Sequence, residues 1–126
     1  MKIIRVAPIG SVVFYISGHG FGHASRQVEI INALFALRPA GHVVVRTNAP
    51  RWLFDRSVTE PFTFVGGDTD TGVVQVDSLH VDAPASIAQA WAFHRCLDEH
   101  AATESALLAQ HDARLVVGDV PALACA

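Results

Sequence analysis

The sequence predicts an α/β fold, a doubly wound parallel sheet with helices on its faces. Three observations point there. The run Val12-Val13-Phe14-Tyr15-Ile16 is β-branched and aromatic without a polar break, as in strands buried on both faces. Stretches with apolar residues spaced by three and four separate such runs. And the first run passes into the first helical stretch through a turn carrying Gly18, Gly20 and Gly22.

The elements follow in order. Residues 1–10 read as a weakly structured lead-in, and residues 11–126 as one domain. The first strand begins at Ser11 and is bounded by Gly18. The first helix reaches about Arg38: Ala24, Val28, Ile31 and Phe35 form its stripe, with Leu34 and Leu37 alongside, and Pro39 and Gly41 stop it. Val43-Val44-Val45 is the second strand and ends at Thr47-Asn48; Pro50 then starts a short helix carrying Trp52, Leu53 and Phe54. Phe62-Thr63-Phe64-Val65 is the third strand, closed by Gly66-Gly67. A polar loop, Asp68-Thr69-Asp70-Thr71-Gly72, precedes a short extra strand at 73–76. Asp82 is an N-cap with Pro84 in the first turn. One long helix or two abutting ones fill 85–109; Leu115-Val116-Val117 is a further strand, and Val120-Pro121 opens another helix.

Alternating strands and helices imply a parallel sheet. With a strand order of 3-2-1-4, the first and fourth parallel strands are neighbours and ligands sit beyond their carboxyl ends. The glycine-histidine turn and Asp119 both fall there.

Composition excludes several classes. The 126 residues are 51% hydrophobic and 17% charged, enough for a packed core and unlike a disordered chain. A net charge of -3 argues against a nucleic-acid binder. No apolar run reaches the ~20 residues of a membrane span, and Pro8 and Gly10 interrupt any secretory signal. Cys96 and Cys125 lack metal-ligand spacing and read as reduced thiols, so the expected location is cytoplasmic.

Chemistry concentrates in the turn. Gly18, Gly20 and Gly22 let a ligand approach backbone amides at a helix start, which favours phosphate or a developing oxyanion. The G-x-G-x-G-H spacing is not the dinucleotide fingerprint and no Walker lysine follows, so neither a NAD nor an ATP site is supported. His19 and His23 can each carry a proton near neutral pH. Asp119 suits either of two tasks, orienting one of these imidazoles or capping the helix after it. Arg26 binds an anion or faces solvent, and Asn48 is a substrate contact or a plain turn residue. Asp68, Asp70 and Asp77 lack the later acidic ligands of a calcium loop and read as a solvated loop. His94 and Glu104 read as helix surface. No metal and no cofactor is called for.

The stretch Phe14-Tyr15-Ile16-Ser17-Gly18-His19-Gly20-Phe21-Gly22-His23-Ala24-Ser25-Arg26 resembles the N-terminal glycosyltransferase-like region of plant L-arabinokinases and related bacterial proteins. The resemblance continues at Val73-Val74-Gln75-Val76-Asp77 and at Leu115-Val116-Val117-Gly118-Asp119-Val120-Pro121. More distantly the turn is similar to the Gly-rich loop of MurG-type transferases of the GT-B fold, whose loop histidine falls on His23. The resemblance implies a Rossmann-like, incomplete N-terminal domain of a GT-B fold. It implies an acceptor-side half of a metal-independent, nucleotide-sugar-dependent glycosyltransferase. His19 or His23 with Asp119 would be catalytic, and Gly18, Gly20, Phe21, Gly22, Arg26 and Asn48 would contact substrate.

The partners so implied are a nucleotide-sugar, a sugar or glycolipid acceptor and a C-terminal donor-binding domain that this sequence lacks. Peripheral membrane association stays open. The chain reads as a fragment or one partner of a split protein, inactive in isolation. The rival readings are a non-catalytic sugar or nucleotide-sugar sensor associated with a sugar kinase, and an assembly domain whose glycine loop is purely structural.

Overall fold

A computed structural model describes residues 10–37 and 41–126. The lead-in assigned to 1–10 falls almost wholly outside these residues, as does Pro39 with its helix-stopping role. The elements are β1 (Ser11–Ile16), α1 (Phe21–Leu37), β2 (Val43–Thr47), α2 (Arg51–Ser57), β3 (Thr63–Gly66), β4 (Val74–Gln75), β5 (Val81–Asp82), α3 (Ala83–Arg95), α4 (Leu97–Gln110) and β6 (Ala113–Gly118), then a 3-10 turn at Ala122–Ala124.

Strands β3, β2, β1 and β6 form one sheet in that order, all parallel. This is the predicted Rossmann-like arrangement, with β6 as the fourth parallel strand. The period-2 geometry of the strands sorts side chains to two helical layers. On one face Phe14 and Ile16 of β1 and Val43 and Val45 of β2 pack with Ala24, Val28, Ile31 and Phe35 of α1 and with Phe54 of α2. On the other, Val13, Tyr15 and Val44 meet Leu123, with Phe93, Leu97 and Leu108 from α3 and α4 against them. Each fully buried side chain of this size contributes about 1.5–3 kcal/mol. The core therefore centres on β1 and β2.

Several expectations are corrected. Leu37 is 81% exposed and lies off the α1 stripe, because the buried positions are Ala24, Gln27, Val28, Ile31 and Phe35. Of the two alternatives for the long helical stretch, the structure has the second, two abutting helices that meet at Cys96. The strand at 73–76 is shorter and pairs antiparallel with β5, which the sequence did not announce. Asp82 does cap α3, accepting a hydrogen bond from the Ala85 amide. Over 121–126 the chain forms a 3-10 turn of three residues in place of an α-helix, tied by the Leu123 amide to the Thr69 carbonyl.

Glu104, assigned to helix surface, is 4% exposed. It accepts from Tyr15 Oη at 2.8 Å and from Arg46 Nη2 at 2.6 Å. Burial opposes its ionisation, but the bonds from Arg46 and Tyr15 outweigh burial and hold its carboxyl below the usual carboxylate range. Burial, then the bond to the Glu104 carboxylate, push the Tyr15 phenol well above its ordinary value. The cluster fastens α4 to the middle of the sheet. Cys96 and Cys125 are free thiols, and none of the described helices is long and apolar enough to cross a membrane.

Candidate functional site

Two loops and one strand end meet beyond the carboxyl edge of β1. The turn 17–20 connects β1 to α1, and Gly20 holds it with φ +77°, a backbone conformation natural to glycine. Gly18 lies against the turn that follows β2: a Cβ there would be 3.1 Å from the Asn48 Cβ. Asp119 follows β6 directly, and its amide donates to the Tyr15 carbonyl at 3.2 Å, extending the β1–β6 ladder by one bond.

This register brings Asp119 over the first turn of α1. His23 Nδ1 is hydrogen-bonded to Asp119 Oδ2. One helical turn on, Arg26 Nη2 donates to Oδ1 and Oδ2 of the same carboxylate at 3.2 and 3.3 Å, and lies 3.2 Å from His23 Nδ1. The side chains are 32%, 11% and 60% exposed for His23, Asp119 and Arg26. An ionised carboxylate only accepts, so the Nδ1 of His23 carries a proton, and in the neutral form of the ring it is Nε2 that keeps the lone pair. Among the described residues His23 Nε2 makes no hydrogen bond. A neutral imidazole fixed in that tautomer beside a carboxylate is a base held ready for a hydroxyl proton. Asp119 does not cap the segment after it: the 3-10 turn has Pro121 in the cap position and no side-chain cap bond.

His19 takes a different partner. Its Nε2 stands 3.6 Å from Asp70 Oδ1, and its ring lies over Gly72, where any Cβ would strike it. Asn48 Nδ2 donates to Asp68 Oδ1. Both carboxylates come from the loop after β3, which reaches across the sheet end to β1. Thr69 holds it there, 1% exposed, with its hydroxyl on the Ile16 carbonyl at 3.2 Å. Asp68, Asp70 and Gly72 therefore line the site: Asp68 is exposed as expected of a solvated loop, while Asp70 is partly covered against His19. The available signal was positional: a loop leaving a third parallel strand emerges at the same edge as the glycine turn.

Of the residues singled out, the structure thus groups His23, Asp119 and Arg26 in one cluster, and His19 and Asn48 in an adjoining one with Asp70 and Asp68. Phe21 and Gly22 open α1 and are exposed. The free amides at this helix start add a positive dipole end, suited to an anionic group. Among the described residues no group of three or more His, Cys, Asp or Glu side chains could hold a metal ion. A cavity of about 430 Å³ lies at the opposite end of the strands, lined by Gly10, Val12, Phe35, Val43 and Leu115 among others, and takes no part in this cluster.

Compared with known proteins, the chain is 43% identical over 76 residues to the L-arabinokinase of Arabidopsis thaliana. The aligned stretch covers 59% of this chain and spans 7% of the length of that protein. No family model matches the chain, and no solved structure matches it. A relation to L-arabinokinase over that stretch is what the comparisons support.

Proposed function

We propose that this chain is the acceptor-side part of a nucleotide-sugar-dependent glycosyltransferase, with His23 as general base. The observation that carries the reading is the His23 Nδ1–Asp119 bond, which leaves Nε2 free to take a proton. The acceptor hydroxyl loses its proton to Nε2 as its oxygen attacks the anomeric carbon of the donor and the nucleotide diphosphate leaves. Asp119 stabilises the imidazolium so formed, and Arg26 holds the carboxylate in place from its other side. Amides at the start of α1 face the charge that develops on the diphosphate. His19, engaged with Asp70, is a less available base than His23 and serves acceptor positioning.

The test is transfer of labelled sugar from a panel of UDP-sugars to monosaccharides by the longest natural polypeptide that contains this segment. Turnover that His23→Gln leaves unchanged refutes the base assignment. Phosphorylation of the sugar from ATP with no transfer refutes the transferase reading. A second reading is a sugar-sensing module attached to a sugar kinase, favoured by the 43% identity to a protein named L-arabinokinase. It predicts sugar binding with neither transfer nor hydrolysis of the donor.

A further inference from the structure

Phe21 and Trp52 are out of place on packing grounds. Both belong to neither core cluster, and they are 57% and 50% exposed. Their rings stand 5.9 Å apart at centroids, tilted by 54°. Phe21 is the first residue of α1 and Trp52 the second of α2, so the pair bridges two helix starts at the carboxyl edge of the sheet. Neither helix needs an aromatic there, since α2 is anchored by Phe54 and α1 by its own stripe. Unlike the other exposed apolar side chains, these two rings touch each other and stand beside a polar cluster, the mix of aromatic and placed polar groups that lines small-molecule sites.

The neighbouring groups say what kind. The loop before Phe21 carries the His19–Asp70 pair, and the turn before Trp52 carries the Asn48–Asp68 pair. Gly18 packs these two segments together. Asp68 and Asp70 repel an anion, and Arg26 is already engaged by Asp119. On α2, Arg51 is paired with Asp55 through its Nε, and Arg56 lies over the Trp52 ring with its Cζ 5.6 Å from the centroid. What fits is a neutral ligand with one apolar face for the rings and hydroxyls for an amide and carboxylates. A sugar ring has both. We infer that Phe21 and Trp52 form a stacking platform for the sugar ring of the acceptor, with Asn48, Asp68 and Asp70 reading its hydroxyls. This rests on the reading of the site as an acceptor site and names the chemistry of what it accepts.

The experiment uses the full chain with Trp91→Phe, which leaves Trp52 as its one tryptophan. Its fluorescence is followed during titration with L-arabinose, D-glucose and UDP. A saturable change is expected with a monosaccharide, with a dissociation constant on the order of 1 mM. Phe21→Ala weakens it about tenfold, and Phe21→Leu, apolar but not aromatic, recovers only part. Calorimetry repeats the titration in Trp52→Ala, whose folding is checked by circular dichroism. No response to any monosaccharide, a response to UDP alone, or binding that Phe21→Ala and Trp52→Ala leave unchanged overturns the platform. Sugar binding that depends on both rings, beside turnover indifferent to His23→Gln, sinks the base assignment and leaves the platform standing. Turnover lost with His23→Gln, beside sugar binding indifferent to both rings, does the reverse.

Discussion

Replacing Glu104 with glutamine keeps the side chain's volume and removes its charge. Arg46 and Glu104 are 11% and 5% exposed at their side chains, so the guanidinium loses its counter-charge in a place water barely reaches. One nitrogen, Arg46 Nη1, already lacks a hydrogen-bond partner among the described residues. Breaking a buried pair from one side costs ~3–5 kcal/mol. Against a total stability of about 5–15 kcal/mol for a domain, that is a large share. In thermal terms it corresponds to a loss of roughly 10–20 °C in Tm. Urea unfolding followed by far-UV circular dichroism at about pH 7 measures it. Because the folded state holds the Glu104 carboxyl below its unfolded value of 4.5, the wild type keeps this contribution above that value and loses it as pH falls through the folded pKa. The difference between wild type and Glu104→Gln therefore shrinks on acidification. Removing the whole cluster with Tyr15→Phe, Arg46→Met and Glu104→Leu recovers most of the loss, since an apolar set strands no charge. A cost below ~1 kcal/mol for Glu104→Gln, the size expected of an exposed pair, would refute the burial argument.

Three further outcomes are expected. Tyr15 is the single tyrosine, so tyrosinate absorbance reads it directly. With its folded pKa raised, the stability it contributes is complete below about pH 10 and lost above, and it ionises together with unfolding. Stepwise ionisation in a chain still folded by circular dichroism would contradict this. Gly20→Ala places a Cβ at φ +77° in open space, so the cost is backbone strain alone, about 1–2 kcal/mol in urea unfolding. Asp119→Asn offers His23 an amide that can donate to Nδ1 and so select the wrong tautomer; under the proposed assignment of His23 as base, transfer by the longest natural polypeptide containing this segment falls by about 10²–10⁴-fold, and Asp119→Glu recovers part of it.

How much of this was legible in the sequence depended on the range of the cause. The first strand declares itself because Val12 through Ile16 satisfies both faces of the sheet at once, a local pattern. Strand order alone put Asp119 beside the glycine-histidine turn, since topology makes the ends of β1 and β6 neighbours; that His23 and not His19 meets it depends on the first turn of α1, which carries His23 to the carboxylate. Glu104 was opaque for the opposite reason. Among Ala, Thr and Ser on α4 it has the spacing of a solvent residue, and only Tyr15 and Arg46, arriving from two strands, give it a buried partnership. Asp68 and Asp70 were hidden similarly: what draws their loop inward is one buried threonine, Thr69, with no periodic signature. The segment after Asp119 looked helical from Pro121, but the Leu123 amide turns instead to the Thr69 carbonyl.

The place of β6 has a consequence for the order in which the protein takes shape. Strands β1, β2 and β3 and their helices are contiguous in the chain, and can pair as soon as residue 66 has been made. The other edge of β1 must wait for a strand beginning at Ala113. His23 and Asp119 are 96 residues apart, so their bond closes a very long loop. At ribosomal rates that delay is on the order of 10 s. Throughout it, Val13 and Tyr15 present an uncovered apolar face. The His23–Asp119 bond is thus among the last contacts to form, and a nascent chain carries half a sheet before its two ends meet at that site.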